Sequence, residues 1–175
     1  GAYVEDWVWG SDDDGETFFV ANSSLLHMDE AQLVELSDGR VMANMRNDHY
    51  TSCDCRAVSI SEDGGSSWSA PSYDPTLISP VCQATIVSDA TQENLFFANP
   101  ASKSERALGT VRMSTDDGES WSKGFLINSG AYAYSCLVNI DEDFVGLLWE
   151  TESNPSDCTG PSCMQYFSKI PKSLL

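Results

Sequence analysis

Glu30 and Tyr134 have the side chains and the placement to do chemistry together. Glu30 falls 19 residues after Ser11 and Tyr134 falls 20 after Ser114, and Ser11 and Ser114 each open a copy of one short motif. Matching offsets from a repeat put two residues at equivalent points of different structural units, so a carboxylate and a phenol far apart in sequence can converge. A phenol whose proton passes to a neighbouring carboxylate as it attacks is a nucleophile that brings in no full charge beforehand. Arg46 and Arg106 are two of only five arginines. Planar guanidinium groups grip a carboxylate through two parallel hydrogen bonds. Together these residues suit covalent chemistry on an anionic substrate. His27 and His49 lie near Glu30 and Arg46 and could touch such a substrate, although lone rim histidines are more often structural.

The charge of the whole chain sharpens the point. With 27 acidic and 9 basic residues the formal charge is -18, so a site for an anion must invert the field locally. The scattered basic residues exclude a phosphate-tracking surface for nucleic acid and an anionic membrane surface. No apolar run approaches the roughly 20 residues that span a bilayer. The chain opens at Gly1 with neither a methionine nor a charged-then-apolar leader, which reads as a processed, engineered or incomplete start. At 175 residues, 41% of them hydrophobic, one core of ordinary size is expected.

The elements that position these residues follow from an internal repeat. Ser11-Asp12-Asp13-Asp14-Gly15-Glu16-Thr17-Phe18, Ser61-Glu62-Asp63-Gly64-Gly65-Ser66-Ser67-Trp68 and Ser114-Thr115-Asp116-Asp117-Gly118-Glu119-Ser120-Trp121 all read Ser-x-Asp-x-Gly-x-x-aromatic. Their starts lie 50 and 53 residues apart, the period of a four-stranded propeller blade. Asp and Gly suit a positive-φ turn, Ser and Asp satisfy its amides, and the aromatic packs back onto the sheet. Strands are expected at 33–36, 41–45, 56–60, 83–87, 95–98, 110–113, 144–149 and 165–170, with Asp38-Gly39 as a hairpin turn. Helical periodicity is nearly absent, so the chain reads as all-β. Asp12-Asp13-Asp14 lacks the alternating spacing and terminal Glu of an EF-hand loop, so no metal is expected there.

Six cysteines, Cys53, Cys55, Cys82, Cys136, Cys158 and Cys163, show no zinc spacing with histidine. Disulfides are the expectation, with a local bridge between Cys158 and Cys163 and no pairing derivable for the other four. Asn22-Ser23-Ser24 is an N-glycosylation sequon and agrees with an oxidising, secreted, extracellular or lysosomal setting.

The repeat is the Asp box, and the chain resembles the sialidase (neuraminidase) superfamily segment by segment. Glu30-Ala31-Gln32 resembles the family's Glu-x-Gln strand, and Asn44-Met45-Arg46 the element with its second carboxylate-binding arginine. Val81-Cys82-Gln83 is similar to its Cys-Gln strand start, and Arg106-Ala107-Leu108-Gly109 to the element with its third arginine. Ala133-Tyr134-Ser135 resembles the motif of the catalytic tyrosine, and Gly146-Leu147-Leu148-Trp149-Glu150 the strand whose Glu steadies an arginine. Tyr132 is the competing tyrosine, and Ser135 favours Tyr134.

The resemblance implies a six-bladed β-propeller of which this chain supplies roughly the last three to four blades, as the C-terminal portion of one domain. It implies an exo-α-sialidase: Tyr134 as nucleophile, Glu30 as its base, Arg46, Arg106 and Glu150 at the substrate, and no cofactor. Tyrosine rather than carboxylate is the sialidase exception among glycosidases. The family's first arginine, in a Phe/Tyr-Arg-x-Pro motif, and its acid/base Asp belong to earlier blades, and neither motif occurs here; only Arg40 precedes Arg46. The expected partners are therefore a sialylated glycan and the N-terminal half of the same propeller. The alternatives are a non-catalytic propeller that binds glycans or builds an extracellular assembly, and a sortilin-type receptor fragment, which explains the boxes but not the site series.

Overall fold

A computed structural model of the chain describes residues 5–47, 53–151 and 164–175. Two short antiparallel pairs come first: β1 (Glu5–Asp6) with β4 (Leu25–Leu26), and β2 (Trp9–Gly10) with β3 (Phe19–Val20). An antiparallel four-stranded sheet follows in the order β5 (Met28–Glu35), β6 (Val41–Asn47), β7 (Cys55–Ser61), β8 (Ser72–Ile78). A second has β9 (Thr85–Ser88), β10 (Leu95–Pro100), β11 (Ala107–Ser114) and β12 (Phe125–Ala131). The third has β13 (Ser135–Asn139), β14 (Phe144–Thr151) and β15 (Met164–Pro171). Successive sheets meet through their first strands, β5 against β9 and β9 against β13. Meanders arrayed this way are the blades of an all-β propeller.

Strand alternation explains where the core lies. Along a strand successive side chains point to opposite faces, and in β10 all six residues are buried. Leu95 and Phe97 enter a cluster with Val34, Leu36, Met42, Leu77 and Ile86 between the first and second sheets. Phe96 and Ala98 enter another with Val111, Tyr132, Leu137, Leu147 and Ile170 between the second and third. β6 divides likewise, Met42 into the first cluster and Ala43 and Met45 into a third with Leu25 and Met28. The core is thus a series of slabs between blades. Each buried Phe contributes about 1.5–3 kcal/mol to holding two blades together.

The three Ser-x-Asp-x-Gly turns have one internal geometry. The Ser hydroxyl donates to the Asp carboxylate at 2.7–2.9 Å and accepts the Gly N–H at 2.8–2.9 Å. The same carboxylate accepts the N–H of Thr17, Ser67 or Ser120 at 2.8–2.9 Å. Positions four and five take left-handed φ in every copy, as Asp14-Gly15, Gly64-Gly65 and Asp117-Gly118, where glycine carries no Cβ penalty. Asp13 spends its carboxylate on Ser11 and Thr17 inside its own turn. Gly39, at φ +84°, makes the hairpin turn between β5 and β6. The aromatic behaves differently from copy to copy: Trp68 and Trp121 pack inward, whereas Phe18 is 59% exposed.

Among the described residues the cysteines form one bridge. Cys53 and Cys55 are joined, while Cys82 is a buried free thiol and Cys136 an exposed one. Cys158, Cys163 and His49 lie outside the described residues. Asn22 of the sequon is exposed. Among the described residues no helix is long and apolar enough to cross a membrane, and no cluster of His, Cys, Asp and Glu is arranged to hold a metal.

Candidate active site

Strand direction gathers the chemistry at one end of the blades. Glu30 stands near the start of β5, Arg46 near the end of antiparallel β6, Arg106 directly before β11 and Tyr134 directly before β13. The Ser-x-Asp-x-Gly turns follow β7 and β11, which puts the second and third copies at the opposite end.

Glu30 occupies a bulge. Asp29 pairs with Arg46 and Gln32 with Asn44, so Glu30 and Ala31 together face a single residue of β6. Glu30 has φ +34° and its N–H bonds the Asp29 carboxylate at 2.8 Å, a left-handed conformation that costs a non-glycine residue on the order of 1 kcal/mol. His27, with φ +64°, enters the same irregular segment. The bulge re-aims the Glu30 carboxylate. One of its oxygens, Oε2, accepts Arg46 Nη1 at 2.6 Å. The other, Oε1, accepts a short hydrogen bond from the Tyr134 hydroxyl, 104 residues away in sequence. Arg46 Nε also lies 4.0 Å from Asp29 Oδ2.

Arg106 completes the group. Its guanidinium carbon sits 5.4 Å from the centre of the Tyr134 ring, within cation–π range, and its Nη2 donates to the Val81 carbonyl at 3.2 Å. Glu150 accepts the Tyr134 N–H at 3.3 Å and returns its own N–H to the Tyr134 carbonyl at 2.9 Å. Among the described residues no arginine pairs with Glu150; its carboxylate is on the tyrosine backbone instead. Beside Tyr134 lies a cavity of about 240 Å³ lined by Gln83, Ser135, Cys136, Trp149 and Glu150. A larger concavity of about 630 Å³, among Asp89, Asp141, Glu142 and Lys172, lies at the opposite end near the β9–β10 and β13–β14 turns, away from this group.

The electrostatics set the direction of the proton. Partial burial pushes the Glu30 carboxyl up, but the hydrogen bonds from Tyr134 and Arg46 and the arginine charges outweigh it and hold it below the ordinary glutamate value. The hydrogen bond to Glu30, then burial and the Glu30 charge, push the Tyr134 phenol above its ordinary value. At neutral pH the proton therefore stays on the phenol, aimed at an ionised carboxylate. A protonated phenol aimed at an ionised carboxylate has the chemistry to act as a nucleophile with its base.

Tyr132 is placed quite differently. It is fully buried, stacked on Trp149 at 5.6 Å, which in turn stacks on Tyr166 at 5.3 Å. A Cβ at Gly109 would stand 2.0 Å from the Tyr132 ring, so only glycine admits this packing. Burial raises the Tyr132 phenol strongly. Tyr132 packs the wall behind Tyr134, which faces Glu30.

Three supporting residues have partners that the sequence did not disclose. Arg56 has no exposed surface; its Nε donates to Asn44 Oδ1 at 2.8 Å and its Nη1 to the Cys82 carbonyl at 3.0 Å. Gln32 Oε1 accepts the Ile86 N–H at 2.7 Å, and Gln83 exchanges two hydrogen bonds with the Ser135 backbone, each at 3.0 Å. The available signals were that Gln32 and Gln83 lie 51 residues apart and belong to the Glu30-Ala31-Gln32 and Val81-Cys82-Gln83 segments already singled out.

Known proteins share this arrangement of elements. The BNR repeat-like domain family matches residues 5–147. A sialidase of Micromonospora viridifaciens is 36% identical over 148 residues, 80% of this chain and 23% of that protein. A sialidase of Bacteroides fragilis (strain YCH46) is 33% identical over 151 residues, 81% of this chain and 27% of its own length. The chain therefore spans about a quarter of the curated relatives it matches. In structure, a leech intramolecular trans-sialidase complexed with 2,7-anhydro-Neu5Ac superposes with a TM-score of 0.76 at 23% identity, over 97% of this chain and 28% of that one. At that identity the likeness concerns the fold alone.

Proposed function

This chain belongs to the sialidase superfamily, and from that membership we propose that it carries the nucleophile, its base and two carboxylate-binding arginines of an exo-α-sialidase. The substrate is a glycoconjugate ending in sialic acid, an anionic 2-keto sugar. Arg46 and Arg106 bind its carboxylate. Tyr134 Oη attacks the anomeric carbon while its proton passes to Glu30 Oε1, and the bond to the leaving oxygen breaks. That oxygen takes its proton from an acid, for which the resemblance implies an Asp of an earlier blade. Water then displaces the tyrosine, giving its proton to the acid that was deprotonated in the first step, while Glu30 returns its proton to the Tyr134 oxygen; two inversions give overall retention. A neutral phenol suits this substrate because a resting carboxylate nucleophile would be repelled by it.

The observation that carries the reading is the hydrogen bond from the Tyr134 hydroxyl to a Glu30 carboxylate that Arg46 also holds. The remaining blades of the propeller are expected to cover two apolar faces. Trp7, Trp9, Phe18 and Val20 lie open before the first sheet, and Val138, Leu148 and Phe167 lie open on the third, and exposed clusters of large apolar side chains mark surfaces that take a partner. The Cys53–Cys55 bridge supports a secreted or lysosomal setting.

The test is turnover of a fluorogenic sialoside by the intact protein and by Tyr134→Phe. The substitution should reduce turnover by at least about 10³-fold while stability falls by no more than about 3 kcal/mol, the worth of a hydrogen bond to a charged group. Undiminished turnover would remove Tyr134 from the mechanism. Binding of sialylated glycan without turnover by the parent protein would leave a glycan-binding module.

A further inference from the structure

Residues 132–134 form no strand ladder of their own, since β13 begins only at Ser135. Backbone bonds tie the Tyr132 N–H to the Arg106 carbonyl at 2.8 Å and the Ala133 N–H to the Glu150 carbonyl at 3.1 Å, and side chains reaching in from elsewhere complete the placement of the tyrosine. Glu150 holds the N–H and the carbonyl of Tyr134 itself. On the next residue, Gln83 Nε2 donates to the Ser135 carbonyl and Gln83 Oε1 accepts the Ser135 N–H, both at 3.0 Å. Gln83 leads into β9, a different blade from Tyr134. The other side-chain bonds between first strands are single, Ile86 N–H to Gln32 Oε1 across the neighbouring β5–β9 seam and Leu137 N–H to Thr85 Oγ1 farther along this one. A two-point amide clamp fixes orientation as well as distance.

The segment bearing Gln83 is itself anchored. The Val81 carbonyl accepts Arg106 at 3.2 Å and the Cys82 carbonyl accepts the buried Arg56 at 3.0 Å. Residues 81–83 thus reference the arginine and the tyrosine to one short piece of backbone. We propose that Gln83 is a positioning residue, whose clamp on Ser135 holds the Tyr134 hydroxyl within hydrogen-bond reach of Glu30. The proposal rests on the reading of Tyr134 and Glu30 as the reacting pair.

Gln83→Met keeps the length of the side chain and removes both bonds, whereas Gln83→Glu keeps only the acceptor for the Ser135 N–H. In the intact protein Gln83→Met should lower kcat roughly 10- to 100-fold, the effect of a small misplacement of a reacting group, with KM within about threefold. Gln83→Glu should recover part of the loss. Independently of turnover, the Tyr134 phenol, followed by NMR with ring-labelled tyrosine, should titrate closer to an ordinary tyrosine in Gln83→Met because its bond to Glu30 is weakened. Thr85→Val, which removes a seam bond farther along β9, should lower thermal stability and leave both readouts alone. An unchanged phenol titration in Gln83→Met overturns the proposal, as does a fall in kcat that Thr85→Val reproduces. If the parent protein has no turnover, the sialidase reading fails and the phenol titration alone decides the clamp.

Discussion

The first and third Ser-x-Asp-x-Gly turns share one set of internal hydrogen bonds and differ in everything around them. Asp13 and Asp116 hold the same donors at nearly the same distances. Yet Trp121 of the third copy packs 5.6 Å from Phe97, joins the cluster between the first two sheets and donates its ring N–H to Asp74 of β8 at 3.1 Å. The neighbouring Asp117 reaches across to the Ser37 N–H and hydroxyl, at 3.0 and 2.6 Å, in the β5–β6 hairpin. The second copy does the same in kind, with Trp68 against the Leu25–Met28 cluster and the Asn22 N–H on the Ser66 carbonyl. Both packed copies lean on the sheet that precedes them. Among the described residues the ring contact of Phe18 is with Trp9, at 4.9 Å, and Phe18 stays exposed. The turn is a local structure, and its value to the fold depends on the preceding blade.

The largest effect should come from Trp121→Ala. Removing a large aromatic from a seam costs about 3 kcal/mol, or roughly 6–12 °C in the thermal midpoint of a domain this size. A loss under about 1 kcal/mol would mean that the seam between the first two sheets does not depend on this packing.

Phe18→Ala tests the same rule where its partner is out of view. If a preceding blade covers Phe18 in the intact protein, the substitution should cost about 2 kcal/mol there, approaching the loss at Trp121. An exposed phenylalanine would cost no more than about 0.5 kcal/mol. Thermal melts of the two variants side by side decide whether the first turn is packed like the others.

The contrast between local and distant partners also explains what the sequence could disclose. Every internal bond of the turns joins residues at most four apart, so a repeated string of residues is enough to predict them. The strands with alternating or continuous apolar residues, such as β6 and β10, were legible for the same reason. β8, β12 and β13 were not: β8 carries Asp74 and Pro75 and is mostly open at the sheet edge, and β12 and β13 alternate with too few apolar side chains to stand out. At the other end of the blades the partners of Glu30 lie 16 and 104 residues away. Its meeting with Tyr134 could be inferred from matching blade offsets and family resemblance, which name residues without giving their bonds. The Gln83 clamp, the buried Arg56 and the Glu150 contact with the Tyr134 backbone depend on how blades seat against each other, and no local pattern encodes that. The Cys53–Cys55 pairing was open for the same reason.

The smallest effect would sharpen the comparison most. The Thr17 hydroxyl and N–H, followed by the Ser11 hydroxyl, pull the Asp13 carboxyl down to about 2. Ser120 and Ser114 lower Asp116 in the same way and in the same order. A carboxylate with a depressed folded-state pKa stabilises the fold above its unfolded value, and that contribution is lost as pH falls through the folded value. The turns should therefore stay intact through the ordinary carboxylate range and loosen only in stronger acid. Thr17→Val and Ser120→Ala each delete a hydroxyl donor, so each should raise the carboxyl it serves, and carbon-detected NMR titration of Asp13 and Asp116 would follow both. If the turn is local, the two shifts should agree even though one copy is packed and the other open. A clearly larger shift at Asp116 would mean that the Trp121 seam tightens the turn, and the division between local geometry and blade packing would have to be redrawn.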